Sequence, residues 1–392
     1  MFKSNFFKLL IFTVFCFSIP SVAIAAPNLT SVVYDVESQQ FFILGSLFGE
    51  KTQTSPVQWD NFEGGVDGAT VSSPVIGTSW GNTGGTTYTS SVTRLNSNFS
   101  SRHDFVSGNN YNQALVKTGG PWRSLYISFY YRTDYGSLSA YLDDPCRNYK
   151  VVRFEGDSGT KTGDQGIGVP IVSYEKRASS SSAGIFETAL RADYNVTAGS
   201  GTFYGGNHER TPIQWAHQEW HRVEFYMNVN TGEKEFFMWE DAVHNNPSKS
   251  SNGWTVTYEP LMGSDNSSFN ELTFGTYFSR DNGASAITYM DDIYVDTTMA
   301  RVELGNASTW AACTHREIQI ASVWSDLSIT STVNAGNFKS GDTAYLYVVD
   351  VNGEVNDIGY PVVIGESGGA IIIPPPPVVP IIISPPPVVR IE

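Results

Sequence analysis

The sequence predicts an all-β protein, a large two-sheet sandwich accompanied by a smaller β-sandwich. Three observations carry this. Segments such as Leu125–Arg132 and Trp220–Val229 alternate, with Leu125, Ile127, Phe129 and Tyr131 set against Tyr126, Ser128, Tyr130 and Arg132, the period of a strand. Helical periodicity is almost absent. The composition, with 36 Gly, 13% aromatic and only 16% charged residues in 392, supplies turns and β-formers for one large domain plus a small one.

Residues 1–25 are expected to be a secretory signal peptide. Lys3 and Lys8 precede the apolar run Leu9–Ile19, and Ala23-Ile24-Ala25 offers a cleavage site. The run is too short for a transmembrane span, and no Cys stands at the cleavage point to carry a lipid. The protein is therefore expected to be secreted or held at the cell surface. Loss of the two lysines moves the formal charge from −15 to −17. Such acidity repels nucleic acid and anionic lipid, so neither is an expected partner; it suits solubility or Ca²⁺. The mature chain keeps Cys146 and Cys313. Export permits their pairing without requiring it, and two cysteines exclude a disulfide-stapled scaffold.

Residues 27–57 hold two short strands, the second ending in the turn Ile43-Leu44-Gly45-Ser46-Leu47-Phe48-Gly49. Residues 301–365 hold Ser322–Val333, then Gly341–Val349 and the turn Asn352-Gly353. Ile43, Gly45, Phe48 and Gly49, with the later Ser-Val-Trp-Ser-Asp-Leu-Ser-Ile-Thr run, resemble the two halves of an IPT/TIG domain, a small immunoglobulin-like fold. Neither half has enough strands to stand alone. The resemblance implies one domain split by an insertion, which is tolerated when the guest's ends lie close together.

Between them, residues 58–300 carry many strand candidates at short spacing. They include Tyr149–Phe154, Glu235–Trp239 after the turn Asn230-Thr231-Gly232, Leu272–Phe278 and Ile287–Val295, the pattern of a two-sheet jelly roll. Trp220-His221-Arg222-Val223-Glu224-Phe225-Tyr226 and the closing Tyr289-Met290-Asp291-Asp292-Ile293-Tyr294-Val295 resemble the concanavalin A-like lectin/glucanase superfamily. That fold hosts lectins, hydrolases, lyases and inert modules alike, so it implies no single activity. Residues 366–392, with Pro374–Pro377 and Pro385–Pro387, are expected to form an extended Pro-rich tail, since proline interrupts every helical turn.

Catalysis is weakly signalled. The Glu-x-Asp-x-x-Glu strand of a glucanase is missing: Glu155-Gly156-Asp157 is followed by Thr160 in the third place. His217 and His221 have the spacing of a zinc motif, but Gln218 stands where the general base belongs and the pair enters a strand. A lyase, in which His or Tyr removes a proton beside a uronate carboxylate that Arg neutralises, would draw on Tyr204, His208, Arg210, Arg222 and Tyr226. The other reading of that stretch is a solvated polar rim.

Glycan binding needs aromatic platforms with polar flanks, which Trp122, Tyr126, Tyr130, Arg132, Arg222 and Tyr226 would supply if they lined an open sheet; as core aromatics they would not. The expected function is carbohydrate binding or surface interaction without catalysis, with polysaccharide or another glycan as partner. A polysaccharide lyase or a structural surface module is the alternative. Asp291 and Asp292 point to opposite sides of one strand, so one of them needs a counter-charge. By resemblance to carbohydrate-binding jelly rolls, Phe62-Glu63-Gly64 and Asp291-Asp292-Ile293 imply one structural Ca²⁺ held by Glu63, Asp291 and Asp292. A salt bridge to Arg, or a solvated edge, is the competing expectation.

Overall fold

The computed structural model describes residues 25–105, 114–135, 146–156, 169–177, 188–198, 201–204, 211–213, 218–228, 235–240, 269–279 and 286–367. Residues 1–24 of the signal peptide, His208, Arg210, His217 and the Pro-rich tail from residue 368 lie outside them. Among the described residues the regular structure is β-strand, apart from a 3-10 turn at Trp310–Ala312, and no helix is long and apolar enough to cross a membrane.

The chain opens with the hairpin of β1 (Asn28–Asp35) and β2 (Gln40–Ser46) and then enters a sandwich at β3 (Gln58–Asp60). One layer of that sandwich holds β3, β5 (Thr87–Thr89), β6 (Ser100–Asp104), β8 (Ser124–Tyr135), β14 (His221–Asn228), β15 (Glu235–Glu240) and β17 (Ala286–Asp296). The other holds β4 (Gly81–Thr83), β7 (Ala114–Trp122), β9 (Cys146–Gly156), β10 (Val169–Arg177), β11 (Thr188–Ala198), β12 (Gly201–Tyr204), β13 (Thr211–Ile213) and β16 (Phe269–Ser279). Leu125, Ile127 and Phe129 of β8 point between the layers, where the Phe129 ring meets Phe274 edge-on at 5.9 Å. The strand alternation visible in the sequence puts these residues there.

Beyond the sandwich the chain forms β18 (Arg301–Gly305), β19 (Arg316–Trp324), β20 (Ser328–Thr332), β21 (Thr343–Val349) and β22 (Tyr360–Val363). These join the first hairpin in the order β1-β2-β20-β19-β18-β21-β22. β19 serves both halves of this smaller unit: Arg316–Gln319 pairs with β18, and Ile320–Trp324 pairs with β20. β22 returns alongside β1. Phe41 and Ile43 from the first hairpin share one core with Leu304, Trp324, Ile329 and Leu346.

The sandwich's entering and closing strands are neighbours, Asp60 opposite Ile293 and Gln58 opposite Val295. Lys51, in the first connection, places its Nζ 2.6 Å from Asp296 Oδ2 and 3.1 Å from the carbonyl oxygen of Ala300 in the second. The two crossings between units are thus fastened together by a buried ion pair. Cys313 is a buried free thiol.

Candidate functional site

Of the residues expected to bind a glycan, Tyr126, Tyr130, Arg132, Arg222 and Tyr226 lie on the outer face of the β15-β14-β8-β17-β6-β5 layer, and Trp122 lies on the other layer. Most of that outer face is covered. Trp59, Tyr126, Tyr226 and Tyr294 pack against Met299, Ile318 and Ile320 of the smaller unit. Tyr226 receives the Ser124 hydroxyl at 3.2 Å, and the Tyr130 hydroxyl donates to the Arg316 carbonyl at 3.0 Å. Tyr126, Tyr130 and Tyr226 therefore line a contact between units and are no open platform. Their rings fill the apolar centre while each hydroxyl finds a partner, which is how tyrosine serves a half-wet interface. Trp122 is also buried, at the end of β7 opposite Phe269.

Arg222 belongs to the same contact. Its guanidinium donates to Ser128 Oγ at 3.0 Å, Glu303 Oε2 at 2.8 Å, the Arg316 carbonyl at 2.9 Å and Glu224 Oε1 at 3.1 Å. Arg301 Nε reaches Glu303 Oε1 at 2.5 Å and Arg316 Nε reaches Glu303 Oε2 at 3.1 Å. The Arg301 guanidinium also stacks 4.3 Å above the Tyr126 ring, and the Tyr126 hydroxyl donates to Glu224. Burial alone would raise the Glu303 carboxyl; Arg222, Arg301 and Arg316 outweigh it and hold the group well below the usual carboxylate range. A guanidinium so occupied is not free to neutralise a uronate. With Tyr226 also buried and only the backbone of Tyr204 described, the five residues named for a lyase are not brought together among the described residues.

The closing strand has its counter-charge, and it is a guanidinium. At the bulge of β17 Asp292 takes a left-handed φ of 49°, so the regular opposition of the two aspartates breaks down there. Arg94 bonds both Asp292 Oδ2 and Glu317 Oε1, while Asn334 Nδ2 lies 3.4 Å from Asp292 Oδ1. Asp291 is fully buried; its Oδ1 accepts the Asp292 amide at 2.8 Å and its Oδ2 has no hydrogen-bond partner. Burial, reinforced by Asp292, pushes the Asp291 carboxyl well above its ordinary value, and burial raises Asp292 to about 6 against the opposing pull of Arg94. Glu63 is engaged elsewhere, accepting the Asn98 amide at 2.8 Å, the Asn98 side chain at 2.6 Å and the Phe99 amide at 3.3 Å. Among the described residues no three His, Cys, Asp or Glu side chains are grouped to hold a metal ion. The set Glu63, Asp291 and Asp292 does not fit Ca²⁺ in this arrangement.

At the β6-β17-β8 end of the outer face the strands present an ordered set of polar groups around a tyrosine that is itself buried. Tyr289 of β17 lies directly between Arg102 of β6 and Arg132 of β8, and Ile287 lies between Asp104 and Asp134. Directly opposed residues share a face, so the two arginines flank the tyrosine and the two aspartates stand one row further along. Arg102 Nη2 is 2.7 Å from Asp104 Oδ2, and Arg132 Nε and Nη2 lie 3.0 and 3.3 Å from the two oxygens of Asp134. The side chains of Arg102 and Asp104 are 37% and 40% exposed, and those of Arg132 and Asp134 both 20%, so all four can meet a ligand without unfolding. Burial, with Asp134 next, raises the Tyr289 phenol and keeps it protonated. Of this group only Arg132 was expected at a site. The signal for the rest was the repeated Arg-x-Asp of Arg102-His103-Asp104 and Arg132-Thr133-Asp134, which on a strand puts both charges on one face.

These strands define an all-β protein of two packed sandwiches. No family model matches the sequence, and no curated protein matches it. Solved structures similar to the fold include the alginate lyase vAL-1 from Chlorella virus, at 9% identity and TM-score 0.39 over 54% of this chain and 90% of that one. The receptor binding domain of botulinum neurotoxin type G matches at 11% and 0.33 over 77% and 74%. The metal-free carbohydrate recognition domain of Emp46p matches at 8% and 0.28 over 50% and 82%. Likeness at this level carries no argument about what the chain binds.

Proposed function

We propose that this chain is an exported carbohydrate-binding protein whose ligand seat is the face of the larger sandwich that carries the Arg102–Asp104 and Arg132–Asp134 pairs, and that it binds without catalysis. One observation supports this most. Two partly exposed Arg–Asp pairs flank, in register, a single buried tyrosine. Carboxylate and guanidinium each make two parallel hydrogen bonds, which suits vicinal sugar hydroxyls. Each arginine is already neutralised by its aspartate, so the seat favours neutral sugar rings over a polyanion. The phenol between them is buried and held protonated, so it is poorly placed to act as a base.

The test is a glycan array with the full chain, repeated with Arg132→Ala and Asp134→Ala. The reading expects neutral glycans to be retained by the parent and lost by both variants, at unchanged melting temperature. Retention by the variants, or release of unsaturated product from uronate polymers by the parent, overturns it.

A further inference from the structure

The smaller unit presents a second surface, on the opposite side of its core from the residues that fill it. An antiparallel strand covered on one face ordinarily alternates apolar and polar. β2 does not, since Phe41-Phe42-Ile43-Leu44 is apolar throughout. Phe41 and Ile43 fill the core, which leaves Phe42 and Leu44 outside at 42% and 53% exposure. The neighbouring strands repeat the breach. Val33 is directly opposite Phe42 on β1, Phe42 opposite Thr330 on β20, and Thr330 opposite Val323 on β19. Three inter-strand steps make a row about 14 Å wide. Leu44, between Ser31 and Ser328, begins the next row, and Leu47 and Leu327 are exposed just beyond the ends of β2 and β20. Of the ten large apolar side chains left exposed among the described residues, Val33, Phe42, Leu44, Leu47, Val323 and Leu327 are six. Scattered exposed apolar residues need no explanation, but a contiguous set marks a place of contact.

Charge selects the occupant. Along the strand direction the apolar face is bounded at one end by the β1–β2 turn with Asp35 and Glu37, and at the other by Glu50 and Asp326, which meet through the Asp326 amide and Glu50 Oε1. The described cations of this unit are Lys51, Arg301 and Arg316, all buried, and Lys339. A second copy laid on this face in either direction would set acidic ends against acidic ends, and an anionic membrane would be repelled likewise.

We propose that this four-strand face docks a polypeptide segment that presents several apolar side chains with lysine or arginine at both ends. The apolar row supplies the area and the acidic ends fix the partner's placement and speed its approach.

The probe is a synthetic fluorescent peptide with a Leu/Val centre and two lysines at each end, titrated into the full chain by anisotropy and compared with a glutamate-ended twin. The inference expects saturable binding of the lysine form, weakened by salt, at least tenfold weaker with Phe42→Ser/Leu44→Ser, and reversed in preference with Glu37→Lys/Glu50→Lys. Thermal melts of both variants confirm that the fold is kept, because the substituted side chains point outward. Equal binding by the apolar variant overturns it. So does equal binding of the glutamate-ended peptide. Self-association in sedimentation, lost in the serine variant, or sedimentation with phosphatidylglycerol vesicles in place of peptide binding, overturns it in favour of a second copy or a lipid surface.

Discussion

Arg222, on the larger sandwich, places Nη1 2.8 Å from Glu303 Oε2 on the smaller unit, with both side chains buried. A residue type suited to sugars is used to fasten one unit to the other. Removing one partner of a buried pair leaves the other charge stranded at a cost of about 3–5 kcal/mol. Arg222→Met should therefore lose about 3 kcal/mol in urea unfolding. Below its melting temperature it should retain glycan affinity. Loss of affinity at unchanged stability would return Arg222 to the ligand site.

Arg102→Met removes the more exposed of the two guanidiniums that flank Tyr289. A hydrogen bond of about 1 kcal/mol corresponds to roughly fivefold weaker glycan binding. Titration calorimetry reads it, and unchanged affinity would take the Arg102 guanidinium out of the contact.

Acidity should act in two opposite directions. Burial raises Asp60 to about 6, although Trp80 Nε1 at 2.7 Å and the Phe62 amide at 2.9 Å favour its charged form. Its folded value lies above its unfolded one, so the folded state holds the extra proton and stability rises as pH falls from 7 to 5. For this group the gain is about 1 kcal/mol, and Asp60→Asn should remove it. Glu317 behaves oppositely. Burial would raise it, but Arg94 and then His315 bring it to about 2. Its contribution is present above the ordinary carboxylate value and is lost as pH falls towards 2. Denaturant titrations at pH 7, 5 and 3 should trace a maximum between these effects.

Chelation separates the two accounts of the closing strand. With Arg94 bound to Asp292 and Glu63 bound to Asn98, EDTA should leave the melting temperature unchanged, and Arg94→Met should lower stability by about 3 kcal/mol. A fall in melting temperature with EDTA, restored by Ca²⁺ and abolished by Glu63→Gln, would reinstate the ion.

The strand alternation was legible because Leu125, Ile127 and Phe129 repeat at period two in a context without Pro, and the sheets follow that period. What covers a strand's second face was not legible. Tyr126 and Tyr130 have an apolar body and a polar tip, which serve a sugar platform and a buried contact equally. Arg94 was missed for a related reason. It sits in a Ser- and Thr-rich loop far in sequence from Asp292 and Glu317, and local patterning says nothing about which distant carboxylates a loop arginine will meet. The Tyr289 seat left a readable trace in two Arg-x-Asp steps, but one such step is common on exposed strands. Only the register, which sets both beside one tyrosine, gives the pair its meaning.

The pairing of β2 with β20 sets a timetable for a chain made from its N-terminus. Phe41 and Ile43 leave the ribosome before the sandwich exists, whereas Ile329, opposite Ile43, follows only after it. At roughly 5–20 residues per second that interval is on the order of half a minute. Throughout it the first hairpin has neither its core partner nor the neighbour that hides its edge. The newborn protein thus spends its most adhesive period waiting for its own far end, a stage at which a holdase would have its largest effect on yield.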